Sequence, residues 1–219
     1  MHNPKKDELA DCRALASEIV TALRTGGWNI PTAPVERGSR LSRFANFSIT
    51  LSAEPGAYND VSLITGSSAI RIGLPNQRFV ASRVSDAECA AIERVVFGIL
   101  AHEVTHLIQQ AAAPEAYAVA VALESRLRTL SPPVSVQDNF GLYIGQPFEQ
   151  EARAVQAAAE VHALGGSALP RADFDKHLPQ TEVFRRTASK IGAKGTGSQI
   201  IINWWEMWSA LAWDAYSRW

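Results

Sequence analysis

Within "ILAHEVTHLIQQ", residues 99–110, His102, Glu103 and His106 stand in the order H-E-x-x-H. The chain has five histidines in 219 residues, so two of them four positions apart call for a reason. On an α-helix, positions i and i+4 share a face one turn apart, and both imidazoles can aim a nitrogen at one point. Zinc accepts such nitrogens at about 2.0–2.1 Å, and a catalytic site takes three protein ligands and keeps a fourth position for water. Glu103 can then take a proton from that water as general base without binding metal itself. The spacing therefore predicts one zinc ion on His102 and His106, served by Glu103. The bland alternative is a pair of histidines making ordinary hydrogen bonds on a polar helix face.

This chemistry needs a long helix under the motif, and the flanking sequence provides one. Ser85 and Glu88 form a capping box that starts a helix at about Asp86, and no breaker follows until Pro114. The apolar neighbours "VVFGILA" and "LIQQ" would anchor this helix and leave a polar stripe facing a cleft. A second helix is expected over 115–130. Another, opened by Pro147 as a favoured first-turn residue, spans 147–164 and ends at Gly165-Gly166. This last helix offers Glu149, Glu151, Glu160 and His162 as sources of a third ligand, and helical geometry alone excludes neither Glu149 nor Glu151.

The combination of "AHEVTHLIQQ" with the later "FEQEARAVQAA" resembles the HExxH zinc metallopeptidases of the gluzincin type. The resemblance covers about residues 61–165 and implies hydrolysis of peptide bonds, a polypeptide substrate and a glutamate ligand from the second helix. Position by position it implies Glu149 as that ligand, with Glu151 and Ala152 in the following "EA" pair. Arg153 departs from the pattern, which has an acidic or amide residue there to orient a histidine ligand. A guanidinium cannot accept an imidazole N–H. The family's transition-state donor comes from a Tyr, His or Arg; Tyr143, Arg153, His162 and His177 are available. Tyr143, just ahead of the ligand helix, is the choice here. The resemblance also implies an edge strand that binds extended substrate, for which 69–75 is the candidate, with an ordinary internal strand as the equal alternative. The competing functional class is a non-catalytic metal-binding or scaffold domain.

Elsewhere the sequence predicts a helix over 7–25, with Leu9, Leu15, Ile19 and Leu23 at near-helical spacing. Extended segments are predicted at 44–52 and 61–75, and C-terminal helices across 179–218. The expected class is α+β and zincin-like, a small N-terminal sheet followed by a mostly helical region carrying the motif. We read 1–219 as a single domain with its catalytic core over about 44–165. The composition is globular, with 47% hydrophobic and 20% charged residues. A formal charge of −1 gives no electrostatic argument for nucleic acid or an anionic membrane. Cys12 and Cys89 form neither a metal spacing nor a disulfide framework. The charged stretch "MHNPKKDELADC" does not read as an export signal, and no apolar stretch approaches a membrane span, so a cytoplasmic or otherwise soluble protein is expected. The C-terminal tryptophans, Trp204, Trp205, Trp208 and Trp213, read mainly as core, with a partner or oligomer contact as the alternative.

Overall fold

The computed structural model describes residues 2–25, 47–52, 59–64, 67–73, 85–129, 145–192 and 199–219. These cluster into two compact units, Lys5–Glu103 and a second that joins Met1–Pro4 to Val104–Trp219.

The first unit opens with helix α1 (Lys6–Thr25). Its Leu9, Cys12, Leu15, Ala16, Ile19 and Val20 recur every three or four positions and are all buried, the stripe expected of an amphipathic helix. Three strands follow: β1 (Phe47–Ser52), β2 (Asn59–Ile64) and β3 (Ser67–Gly73), in the order β1-β3-β2. β1 runs parallel to β3, with Phe47 opposite Ser68. β2 runs antiparallel, with Ile64 opposite Ser67. β3 is therefore the central strand, with both backbone edges paired. Of the two alternatives for 69–75 the structure shows the internal strand, because residues 69–72 are paired on both sides and leave no free ladder for a peptide to join. The unit ends in the first two thirds of α2 (Asp86–Ala112), which continues unbroken into the second unit.

All regular elements of the second unit among its described residues are helices. α3 (Pro114–Arg128) follows α2 directly. Then come α4 (Pro147–Gly165), the short α5 (Arg171–His177) with a 3-10 turn over Leu178–Gln180, α6 (Glu182–Gly192) and α7 (Gln199–Ser217). α4 presents Ala152, Ala154, Ala157, Ala158 and Ala159 with Val155 and Val161, all fully buried. Such small side chains let α7 approach closely, and α4 against α7 is the main packing of this unit. Trp208, Ala212, Ala215 and Tyr216 supply the buried face of α7. The Tyr216 hydroxyl donates to Gly166 O at 2.7 Å and accepts from the Leu169 N–H at 2.8 Å, fixing the turn after α4. Gly166 takes φ +86° there, where a side chain would be strained. Trp208 thus belongs to the core, and Trp219 donates its indole N–H to Pro4 O at 3.0 Å.

The α+β, zincin-like expectation is corrected: the chain is all-α in class. Helices make up most of the described residues, and the three strands, six or seven residues long, pair with one another in a small ribbon. Within the expected extended segments, strands are described at 47–52, 61–64 and 67–73, but the helix-on-helix packing of α4 and α7 makes a core that needs no sheet. Among the described residues no helix is long and apolar enough to cross a membrane.

Candidate metal centre

The predicted capping box is present. The Ser85 N–H and hydroxyl both donate to Glu88 Oε2, at 2.8 and 2.7 Å, and Ser85 Oγ accepts from the Glu88 N–H at 3.3 Å. From this start α2 runs for 27 residues and carries His102 and His106 on consecutive turns. Residues 96–107 are buried on every side of the helix, so the expected polar stripe facing an open cleft is not what forms. His102 is 2% exposed, Glu103 1% and His106 7%. Burial of three ionisable groups on one stretch of helix demands partners.

Pro147 at the first position of α4 places Glu149 in that helix's first turn, where the helix dipole favours a carboxylate. Glu149 is buried, and its Oε1 lies 3.1 Å from His106 Nε2. Ligand atoms of His102, His106 and Glu149 all lie within 4.8 Å of one another. Tetrahedral zinc with bonds of about 2.1 Å separates its ligands by about 3.4 Å, so small side-chain adjustments bring the three donors to that geometry. This buried His/His/Glu group could hold a metal ion.

The hydrogen-bond network assigns a proton to the His106 nitrogen that faces away from Glu149. Gln109, fully buried, has its amide nitrogen 3.0 Å from Phe148 O and 2.8 Å from Glu151 Oε2. Both partners are acceptors, so the NH2 must point that way and Oε1 must face His106. Oε1 lies 2.8 Å from His106 Nδ1, and that nitrogen therefore carries the proton. A neutral His106 then presents the Nε2 lone pair to an anionic oxygen 3.1 Å away. Two acceptors at that distance repel unless a cation, proton or metal, lies between them.

The remaining candidates have other tasks. Glu151 accepts from Gln109 and from both the backbone N–H and the ring Nδ1 of His2, the latter at 3.0 Å. Burial alone would raise its pKa, but the hydrogen bonds from Gln109 and His2 together outweigh it and hold the carboxyl below the usual range. Arg153 places Nε 3.4 Å from Glu149 Oε2, so the residue that departs from the family pattern steadies the candidate ligand instead of orienting a histidine. Glu160, fully buried, accepts from the Glu182 N–H and from Gln156 Nε2 at 3.2 Å. The His162 ring packs against Tyr216 and Trp219. Tyr143 lies outside the described residues. Tyr117, at the start of α3, packs its ring 6.0 Å from that of His106 and 5.6 Å from Phe148.

Gln109 is the site residue that sequence reasoning missed. Its signal was its place three residues beyond His106 on the same helix face, within reach of that ring. Compared with protein families, curated proteins and solved structures, the chain matches none.

Proposed function

We propose that the chain is a zinc-dependent hydrolase of peptide bonds, with His102, His106 and Glu149 as metal ligands and Glu103 as general base. The observation that carries this is the convergence of the two imidazoles and the α4 carboxylate in one buried group, with a further buried carboxylate, Glu103, next to His102 in the chain. The resemblance of "AHEVTHLIQQ" and "FEQEARAVQAA" to gluzincin-type metallopeptidases supports the same assignment. Zinc, when bound, polarises a peptide carbonyl and brings the pKa of a water to about 7. Glu103 takes one proton from the attacking water as its oxygen bonds to the carbonyl carbon. It delivers that proton to the amide nitrogen as the C–N bond breaks, leaving a carboxylic acid and an amine. Arg153 and Gln109 hold Glu149 and His106 in place from behind.

A second reading, a structural metal site in a scaffold domain, is favoured by one observation: all three donors are at least nine-tenths buried. Glu103 separates the two, because a structural site has no use for a general base and closes its fourth position. The deciding experiment incubates the zinc-loaded chain with a mixed peptide library and reads products by mass spectrometry, beside Glu103→Gln. The proposal expects cleavage by the native chain and none by a variant that keeps its zinc. Zinc binding with no cleavage by either supports the scaffold, and cleavage by Glu103→Gln within about tenfold of the native rate overturns the assignment.

A further inference from the structure

We infer that Gln109, Glu151 and His2 form a relay that sets the His106 tautomer and ties α2 to α4 before metal arrives. This rests on the metal reading of the site. Gln109 is a positioning residue: it touches no reacting atom, and it acts on a ligand through Nδ1.

The relay runs in one direction. His106 Nδ1–H donates to Gln109 Oε1, at 2.8 Å. Gln109 Nε2 donates to Glu151 Oε2, at 2.8 Å, and to Phe148 O, at 3.0 Å. Glu151 is the terminal acceptor and takes two further donors from His2. Gln109 makes three bonds from a fully buried amide, and reversing any one of them sets acceptor against acceptor or donor against donor. The bond to Phe148 O and the bond to Glu151 both cross from α2 to the first turn of α4, the turn that bears Glu149. One side chain therefore fixes both the ring of one ligand and the helix end that supplies another. His2 extends the relay to the N-terminal segment, which Pro4 O anchors again through the Trp219 indole N–H.

The sequence departs at Arg153 from the metallopeptidases it resembles, which carry an orienting acid or amide there. The structure supplies the orienting oxygen from the motif helix itself, and backs it with Glu151 in place of a direct carboxylate–histidine contact.

The test uses the full chain and zinc alone. In the metal-free protein, imidazole 15N–1H spectra should show His106 protonated at Nδ1; Gln109→Leu should lose that signature. Zinc affinity, read by competition with a chromophoric chelator, should fall roughly 10–100-fold in Gln109→Leu, the usual effect of removing an outer partner of a histidine ligand. Gln109→Glu sets two carboxylates together and should weaken zinc comparably. Gln109→Glu keeps an acceptor for His106 but has no proton to donate to Phe148 O or to Glu151; the added exchange Glu151→Gln restores a donor between the two side chains. It should recover part of the affinity that Gln109→Glu loses. Zinc affinity in Gln109→Leu within twofold of the native chain overturns the relay. So does an exchange variant no better than Gln109→Glu, which also decides the matter should Gln109→Leu not fold. If the native chain binds no zinc, the metal reading fails, and the spectra of the metal-free proteins still decide the relay.

Discussion

Replacing Glu160 tests whether the elements around α4 are held by the contacts described above. Its carboxylate is fully buried and accepts from the Glu182 N–H, the first of α6, and from Gln156. Thr181 Oγ1 accepts from the Phe184 N–H of the same turn at 3.3 Å, so Glu160 satisfies an amide that the ordinary cap leaves open. Glu160→Ala leaves the part-buried Glu182 N–H at the helix start without its acceptor, which costs about 1–3 kcal/mol. For a chain of this length each kcal/mol moves the melting temperature by about 2–4 °C, so a fall of roughly 2–12 °C is expected. Glu160→Gln keeps an oxygen for the Glu182 N–H and loses only the charge–dipole term, about 0.3–1 kcal/mol. It also sheds the desolvation of a buried anion, which keeps it within about 1 kcal/mol of the native chain. Urea unfolding followed by tryptophan fluorescence reads this directly, since Trp204, Trp205, Trp208 and Trp213 all lie on α7 of the same unit. An alanine variant within 1 kcal/mol of native, or a glutamine variant as damaged as alanine, refutes the capping argument.

Glu103→Gln should lower kcat for peptide cleavage by about 100- to 10,000-fold, the range for a lost general base, while zinc content by elemental analysis stays at the native value. Trp208→Ala opens a void in a fully buried site where Phe184, Trp204 and Trp205 pack around the indole. It should cost about 3–5 kcal/mol in urea unfolding. Burial, reinforced by Asp11 and Glu8, pushes the Cys12 thiol well above its ordinary pKa of 9.0. Iodoacetamide at pH 8 should therefore leave Cys12 unlabelled in the native chain and label it in denaturant, as mass spectrometry would show. The same raised pKa makes the folded state hold a proton that the unfolded thiol releases, so this contribution to stability declines as pH rises above 9.0.

Local signals were legible in the sequence where one element carries them whole. The Ser85–Glu88 box, the run to Pro114 and the four-residue spacing of His102 and His106 all belong to one helix, and α2 forms as they require. Choices that depend on a partner distant in sequence were not legible. Glu149 and Glu151 sit two positions apart in one helical turn; what separates them is that His106 stands beside the first and Gln109 beside the second. Glu160 looked like a possible ligand until the start of α6, 22 residues on, proved to be its partner. The edge-strand candidate at 69–75 gave way to its equal alternative, an internal strand, for the same reason, since alternation marks extended backbone and says nothing about which neighbours pair. Fold class failed because short alternating segments were read as a sheet that shapes the fold, whereas the buried core of the second unit is α4 packed on α7.

The central claim is that His102, His106 and Glu149 bind one metal ion together. Zinc stoichiometry and affinity of the native chain, measured beside Glu149→Ala and Glu151→Ala, test it most directly. The account predicts one zinc per native chain. Glu149→Ala should lose more than the roughly 10–100-fold typical of an outer partner, while Glu151→Ala keeps its stoichiometry within that range. Equal retention of zinc by the two variants, or a native chain that binds none, would contradict it.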